Sequence, residues 1–183
     1  MMHTKDLLPL KTNARDRLET RELLVVGILP FGKGFAEAMA QHKTDQLRRR
    51  VVVTDTLPLK RADDTRAAVD FICFVVSMQS KLSFDKVKDS LNAIVAAEQG
   101  FFVMGRWGLV VLDASEPSKF AFTLEDVNSF SKAHAVPVLF GGSLNDRDAM
   151  EYLCGRVAVL LRRAARDRGI SPMLQMSAFT RPS

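Results

Sequence analysis

The sequence is poor in the side chains that most often announce chemistry: it has two cysteines, three histidines, one tryptophan and one tyrosine among 183 residues. Cys73 and Cys154 lie in apolar patterns, one strand-like and one helical, the usual setting of inert core thiols. Neither has a Cys or His neighbour at ligand spacing, so neither a disulfide framework nor a metal site is expected. His3, His42 and His134 are scattered and form no triad with a nucleophile, so no catalytic residue is assigned. The apolar stretch Phe71–Val76 is far shorter than the roughly 18 residues needed to span a bilayer, and no membrane partner is expected. Residues 1–20 mix both signs of charge and lack a continuous apolar core, so no secretory signal is expected and the chain should live inside the cell. There is no internal repeat and no low-complexity tract.

What is present fits one ordinary domain. Hydrophobic residues at 47% and charged residues at 26% are near average globular usage, which excludes a disordered or fibrous chain. The net charge of +5 permits contact with nucleic acid or an acidic protein but selects neither. After a charged segment expected to be flexible (1–20), residues 22–27 predict a buried strand and residues 34–44 a helix. Strands follow at 50–55 and 69–76, the latter almost wholly apolar, as in a parallel sheet covered on both faces. Ser83 is expected to cap a helix running to Gly100. A strand at 108–113 and a helix from Thr123, with Asp126 completing a capping box, come next. A strand at 136–140 and a long amphipathic helix from Asn145 to Arg168, stopped by Gly169, close the pattern. The alternation predicts an α/β fold: a three-layer α/β/α sandwich around a mostly parallel sheet, with any ligand beyond the carboxyl ends of the strands. The domain is expected to span 21–183, with an apolar tail at 170–183.

Gly27-Ile-Leu-Pro-Phe-Gly-Lys-Gly34 fits G-x-x-x-x-G-K between a strand and a helix, the setting of a phosphate loop. Two of its working parts are missing. Gly34 stands where a hydroxyl would bind Mg²⁺. Pro30 interrupts the run of backbone N–H groups that would cradle phosphate. Each lost contact to a charged group is worth about 1.5–3 kcal/mol, enough together to lower affinity by orders of magnitude. After the next strand, Asp55-Thr-Leu-Pro58 puts proline where a small GTPase has the glycine of D-x-x-G, and no Gln follows to orient a water. Asp113-Ala-Ser-Glu116 has no N-K-x-D, and too few residues separate Thr44 from Arg50 for an effector loop with an extra strand. Gly27, Gly32 and Lys33 are therefore expected to be a degenerate remnant that binds no cofactor. The alternative is a nucleotide-binding switch that still uses them.

Phe74-Val-Val-Ser-Met-Gln-Ser-Lys-Leu-Ser-Phe84, continuing to Ser90-Leu91, resembles the fourth-strand and third-helix region of the centromere protein M family, kinetochore pseudo-GTPases with a small-GTPase-like (P-loop NTPase-like) fold. Leu57-Pro-Leu59, Val69-Asp70, Phe101-Phe102 and Gly169-Ile-Ser171 support the resemblance over roughly residues 20 to 180. It implies a non-enzymatic scaffold of the constitutive inner kinetochore, in the nucleus at the centromere, acting in chromosome segregation. It further implies assembly with centromere proteins I, H and K and neighbouring subunits, and indirect contact with centromeric chromatin.

A scaffold acts through surfaces, so unplaced apolar segments become candidate contacts. Phe101, Phe102 and Val103 follow a helix stop and form either an interface anchor or a further buried strand. Met173, Leu174, Met176 and Phe179 make the tail too apolar to stay free; docking on a partner is favoured over packing on its own sheet. Arg48–Arg50 and the arginines at 162, 163, 166 and 168 lack interleaved aromatics. They are expected to be solvated faces, the alternative being weak contact with an acidic partner or DNA phosphate.

Overall fold

In the computed structural model, residues 20–42, 48–57, 69–97 and 106–166 are described. β-Branched and apolar runs set the strands β1 (Thr20–Val26), β2 (Arg48–Thr54), β3 (Phe71–Ser77), β4 (Trp107–Leu112) and β5 (Val138–Phe140). The helices are α1 (Phe31–Gln41), α2 (Lys81–Ala97), α3 (Leu124–His134) and α4 (Arg147–Arg166), with a short 3₁₀ turn at Pro117–Lys119. The strands form one sheet of order β2-β1-β3-β4-β5. Every pairing is parallel, with Leu24 opposite Val52, Val25 opposite Cys73, Val75 opposite Val110 and Val110 opposite Leu139. This is a three-layer α/β/α sandwich as expected from the sequence, with a sheet that is parallel throughout. The reversal of strand order between β1 and β3 marks the crevice where such folds bind ligands.

Alternation along the strands divides the core in two. Leu24, Val26, Ile72, Phe74, Val76, Leu109 and Val111 meet Phe84, Val87 and Leu91 of α2 and Val127 and Phe130 of α3. On the other face, Leu23, Val25, Cys73, Val75, Val110 and Leu112 meet Phe35 and Met39 of α1 and Leu153, Val157 and Leu161 of α4. β3 and β4 are buried at every position, which is why they read as continuous apolar runs rather than alternating ones. Each such side chain contributes about 1.5–3 kcal/mol by leaving water.

Several boundaries differ from the sequence expectation. α1 begins at Phe31, directly after Pro30 in the cap position, rather than at 34; a proline at the helix entrance sacrifices no helical hydrogen bond. α2 begins at Lys81, because Ser80 rather than Ser83 caps it: the Ser83 N–H reaches Ser80 Oγ at 3.3 Å. Ser83 itself is fully buried. The capping box at α3 is as expected, with Thr123 and Asp126 exchanging side-chain-to-backbone bonds. α4 starts at Arg147, where Asp146 Oδ1 accepts from the Ala149 N–H at 3.0 Å. Only six residues separate α1 from β2, too few for an added strand. Apart from Thr20, the N-terminal segment lies outside the described residues, as does the tail at 170–183.

Candidate functional site

The loops at the carboxyl ends of β1, β2, β3, β4 and β5 form the rim where this fold would hold a ligand. At the first of them, β1 ends at Val26 and the Gly27 N–H donates to Thr54 O at 3.0 Å. The Leu29–Pro30 peptide is cis, and α1 starts one residue later. The Gly32 N–H donates to Ile28 O at 3.0 Å and the Gly34 N–H to Pro30 O at 2.9 Å. Two amides of the motif are thus committed to the helix entrance, and Pro30 has none. A β-carbon on Gly32 would stand 2.7 Å from the Gly27 carbonyl carbon and closer still to its oxygen. The two glycines are required because main chain packs on main chain there, filling the space a phosphate would need. A β-carbon on Gly34 would meet Leu144 Cδ1 at 2.8 Å, so the position of the missing Mg²⁺ ligand faces an apolar side chain. Lys33 is exposed, and its Nζ lies 3.8 Å from Glu37 Oε1 along the outer face of α1. The structure therefore brings Gly27 and Gly32 together while Lys33 pairs one helical turn further on. This arrangement does not fit a nucleoside triphosphate with its cation.

At the end of β2, Thr54 Oγ1 donates to Thr56 O at 3.0 Å, and buried Leu57 gives its N–H to Ser90 Oγ of α2 at 3.1 Å. The segment that would sense a γ-phosphate is instead bound to a helix; Pro58 lies outside the described residues.

The ends of β3, β4 and β5 are joined by a polar network the sequence reading missed. Buried Ser77 donates its hydroxyl to Asp113 Oδ2 at 2.5 Å and accepts from the Gln79 N–H at 3.2 Å. The Ser77 N–H donates to Ser83 Oγ at 3.0 Å, and the Ser83 hydroxyl donates to Ser80 O at 2.6 Å. Asp113 holds a left-handed backbone (φ 57°), and its N–H donates to Gly142 O at 3.1 Å. Asp113 opens the loop where a GTPase reads its base, yet its carboxylate accepts from Ser77. The available signal was a Ser and an Asp ending two apolar strands that turn out to be neighbours.

At the opposite end of the sheet, Asp70 accepts from the Glu22 N–H at 2.8 Å and returns its own N–H to Glu22 O at 2.9 Å. Glu22 Oε1 lies 3.2 Å from the Arg50 guanidinium without an aligned hydrogen bond. Burial raises the Glu22 carboxyl above its usual range; Arg50 opposes this and Asp70 adds to it. This cluster ties β1 to β2 and β3.

Both cysteines are buried thiols outside any disulfide, and burial pushes the Cys73 thiol far up. Among the described residues, no three His, Cys, Asp or Glu side chains group as metal ligands, and no helix is long and apolar enough to cross a membrane. A cavity of about 500 Å³ opens between α1 and α4, lined by Gln41, His42, Asn145, Arg147 and Glu151 among others, none of them from the 27–34 motif. Arg50 faces solvent beside Glu22. The candidate contacts Phe101, Phe102, Val103, Met173, Leu174, Met176 and Phe179 lie outside the described residues.

No individual curated protein matches the chain significantly. The profile described as Centromere protein M (CENP-M) matches residues 12–183, nearly the whole length, so the chain belongs to that family and is a nuclear kinetochore protein of the centromere.

Proposed function

We propose that the chain is a non-catalytic pseudo-GTPase scaffold subunit of the constitutive inner kinetochore. It stabilises a complex with centromere proteins I, H and K and neighbouring subunits, and reaches centromeric chromatin through them. The observation that carries this reading is the closed β1–α1 corner, where the Gly32 N–H is spent on Ile28 O and the Gly32 main chain rests on Gly27. Gly27, Gly32 and Lys33 are on this reading a remnant without a cofactor, and the rim is held by its own side chains. Phe101, Phe102 and Val103, with Met173, Leu174, Met176 and Phe179, remain the apolar segments we assign to partner contact.

Thermal unfolding of the purified chain with and without Mg-GTP or Mg-ATP tests the reading. A ligand at 100 times its Kd would add about 2.7 kcal/mol of stability. No shift is expected. A saturable shift would instead favour a nucleotide-binding switch built on the same three residues.

A further inference from the structure

We propose that the carboxyl-end rim of the sheet is a docking surface for a basic amphipathic helix of a partner subunit, a reading that rests on the scaffold function above. Among the described residues, the large hydrophobic side chains left in water are Leu29, Val53, Leu82, Leu124, Phe140 and Tyr152, and the first five are between 43% and 62% exposed. Those five follow the sheet order. Val53 comes from the end of β2, Leu29 from the loop after β1, Leu82 from the first turn of α2 after β3, Leu124 from the first turn of α3 after β4, and Phe140 from the last position of β5. Stacking of Phe84 on Phe122, with ring centroids 4.5 Å apart, and the 2.7 Å bond from the Ala121 N–H to Met78 O hold the Leu82 and Leu124 turns side by side. None of the six lies at the starts of the strands. Single exposed apolar residues are ordinary, but here one ends or follows each of the five strands at the same end of the sheet, and apolar surface gathered at one end of a fold marks interaction sites.

Charge and dimensions specify the occupant. Segments 27–34, 54–57, 78–84, 113–126 and 141–150 hold seven Asp and Glu against four Lys and Arg, a net charge of −3 on a chain whose total is +5. An acidic rim favours a basic partner and disfavours nucleic acid. It also disfavours a second copy joined rim to rim, which would oppose two like-charged surfaces. Within the described residues, β1 starts at the far side, and α4 begins at the rim and runs about 30 Å away from it. Five strands span roughly 19 Å across the sheet, the rise of a helix of about 13 residues. Such a helix, with an apolar stripe at i, i+3, i+4 and i+7 and Lys or Arg beside it, matches the row.

The test is reconstitution of the full chain with centromere proteins I, H and K, comparing wild type with Leu82→Glu, Leu124→Glu and the double variant. Since both leucines are exposed, the variants should melt with wild type. They should co-elute poorly, with affinity reduced at least tenfold. Glu125→Lys combined with Asp148→Lys should weaken assembly several-fold, while Lys132→Glu, at the other end of α3, should not. Cross-links from Lys81 and Lys119 should fall on a Lys/Arg-rich helix of a partner; links confined to an extended or acidic segment would overturn the assigned occupant. Wild-type assembly that survives the leucine variants would overturn the rim alone. Failure of wild type to assemble would overturn the scaffold reading and the rim with it.

Discussion

Two corners of the rim reach the same end by different means. At the β1–α1 corner the main chain closes on itself: Gly32 sits on Gly27, and the Gly32 and Gly34 amides bond to Ile28 and Pro30. At the β3–β4 corner side chains add the closing bonds, through Ser77, Ser83 and Asp113. The first corner depends on the absence of side chains and the second on their polarity. Among the described rim residues, the Gly32 and Gly34 amides and the Asp113 carboxylate thus have partners inside the fold.

The difference predicts opposite sensitivities. Gly32→Ala should be the most damaging single change, about 3 kcal/mol, because its β-carbon meets immovable main chain. Gly34→Ala should stay within about 1 kcal/mol of wild type, since it meets the flexible end of Leu144 and gains helix propensity. Urea denaturation of the pair would measure the contrast, and equal losses would break it. At the other corner, Asp113→Ala should cost about 2 kcal/mol by leaving the buried Ser77 hydroxyl without its acceptor. Asp113→Gly should cost roughly 1 kcal/mol less than Ala, because glycine tolerates the left-handed backbone.

Away from the rim, the raised Glu22 carboxyl has a smaller consequence. In the folded chain it holds its proton to higher pH than in the unfolded chain, so stability should decline as pH rises from its usual value of 4.5 through the folded value. Glu22→Gln should flatten this part of the stability–pH curve in acid-to-neutral denaturant titrations; an unchanged slope would place the origin elsewhere. Lys33→Ala should be the mildest change, within about 0.5 kcal/mol, because only an exposed pair with Glu37 is lost.

The layers of the fold were legible because burial on both faces leaves a plain mark: Phe71–Val76 and the residues of β4 are runs no helix or half-exposed strand would need. The Thr123–Asp126 box was legible because capping is local. The missing Mg²⁺ ligand and the prolines could be read directly as absent atoms. The start of α1 could not, since its apolar periodicity begins at Phe35, four residues after the start of the helix that Pro30 opens. Nor could the choice between Ser80 and Ser83 as cap, which depends on which hydroxyl is covered by the end of β3. The Ser77–Asp113 bond joins residues 36 apart and exists only through strand order. The exposed row from Val53 to Phe140 is likewise invisible along the chain, where its members are isolated hydrophobics.

The Gly32 amide already has a partner in Ile28 O, and on the proposed function nucleotide should leave that bond in place. Backbone NMR of the ¹⁵N-labelled chain, and of Gly34→Ser, during titration with Mg-GTP observes that amide directly. The account predicts a Gly32 N–H protected from exchange and unmoved by nucleotide, even with the hydroxyl restored. Saturable shifts at Gly32, Lys33 and residue 34 would contradict it.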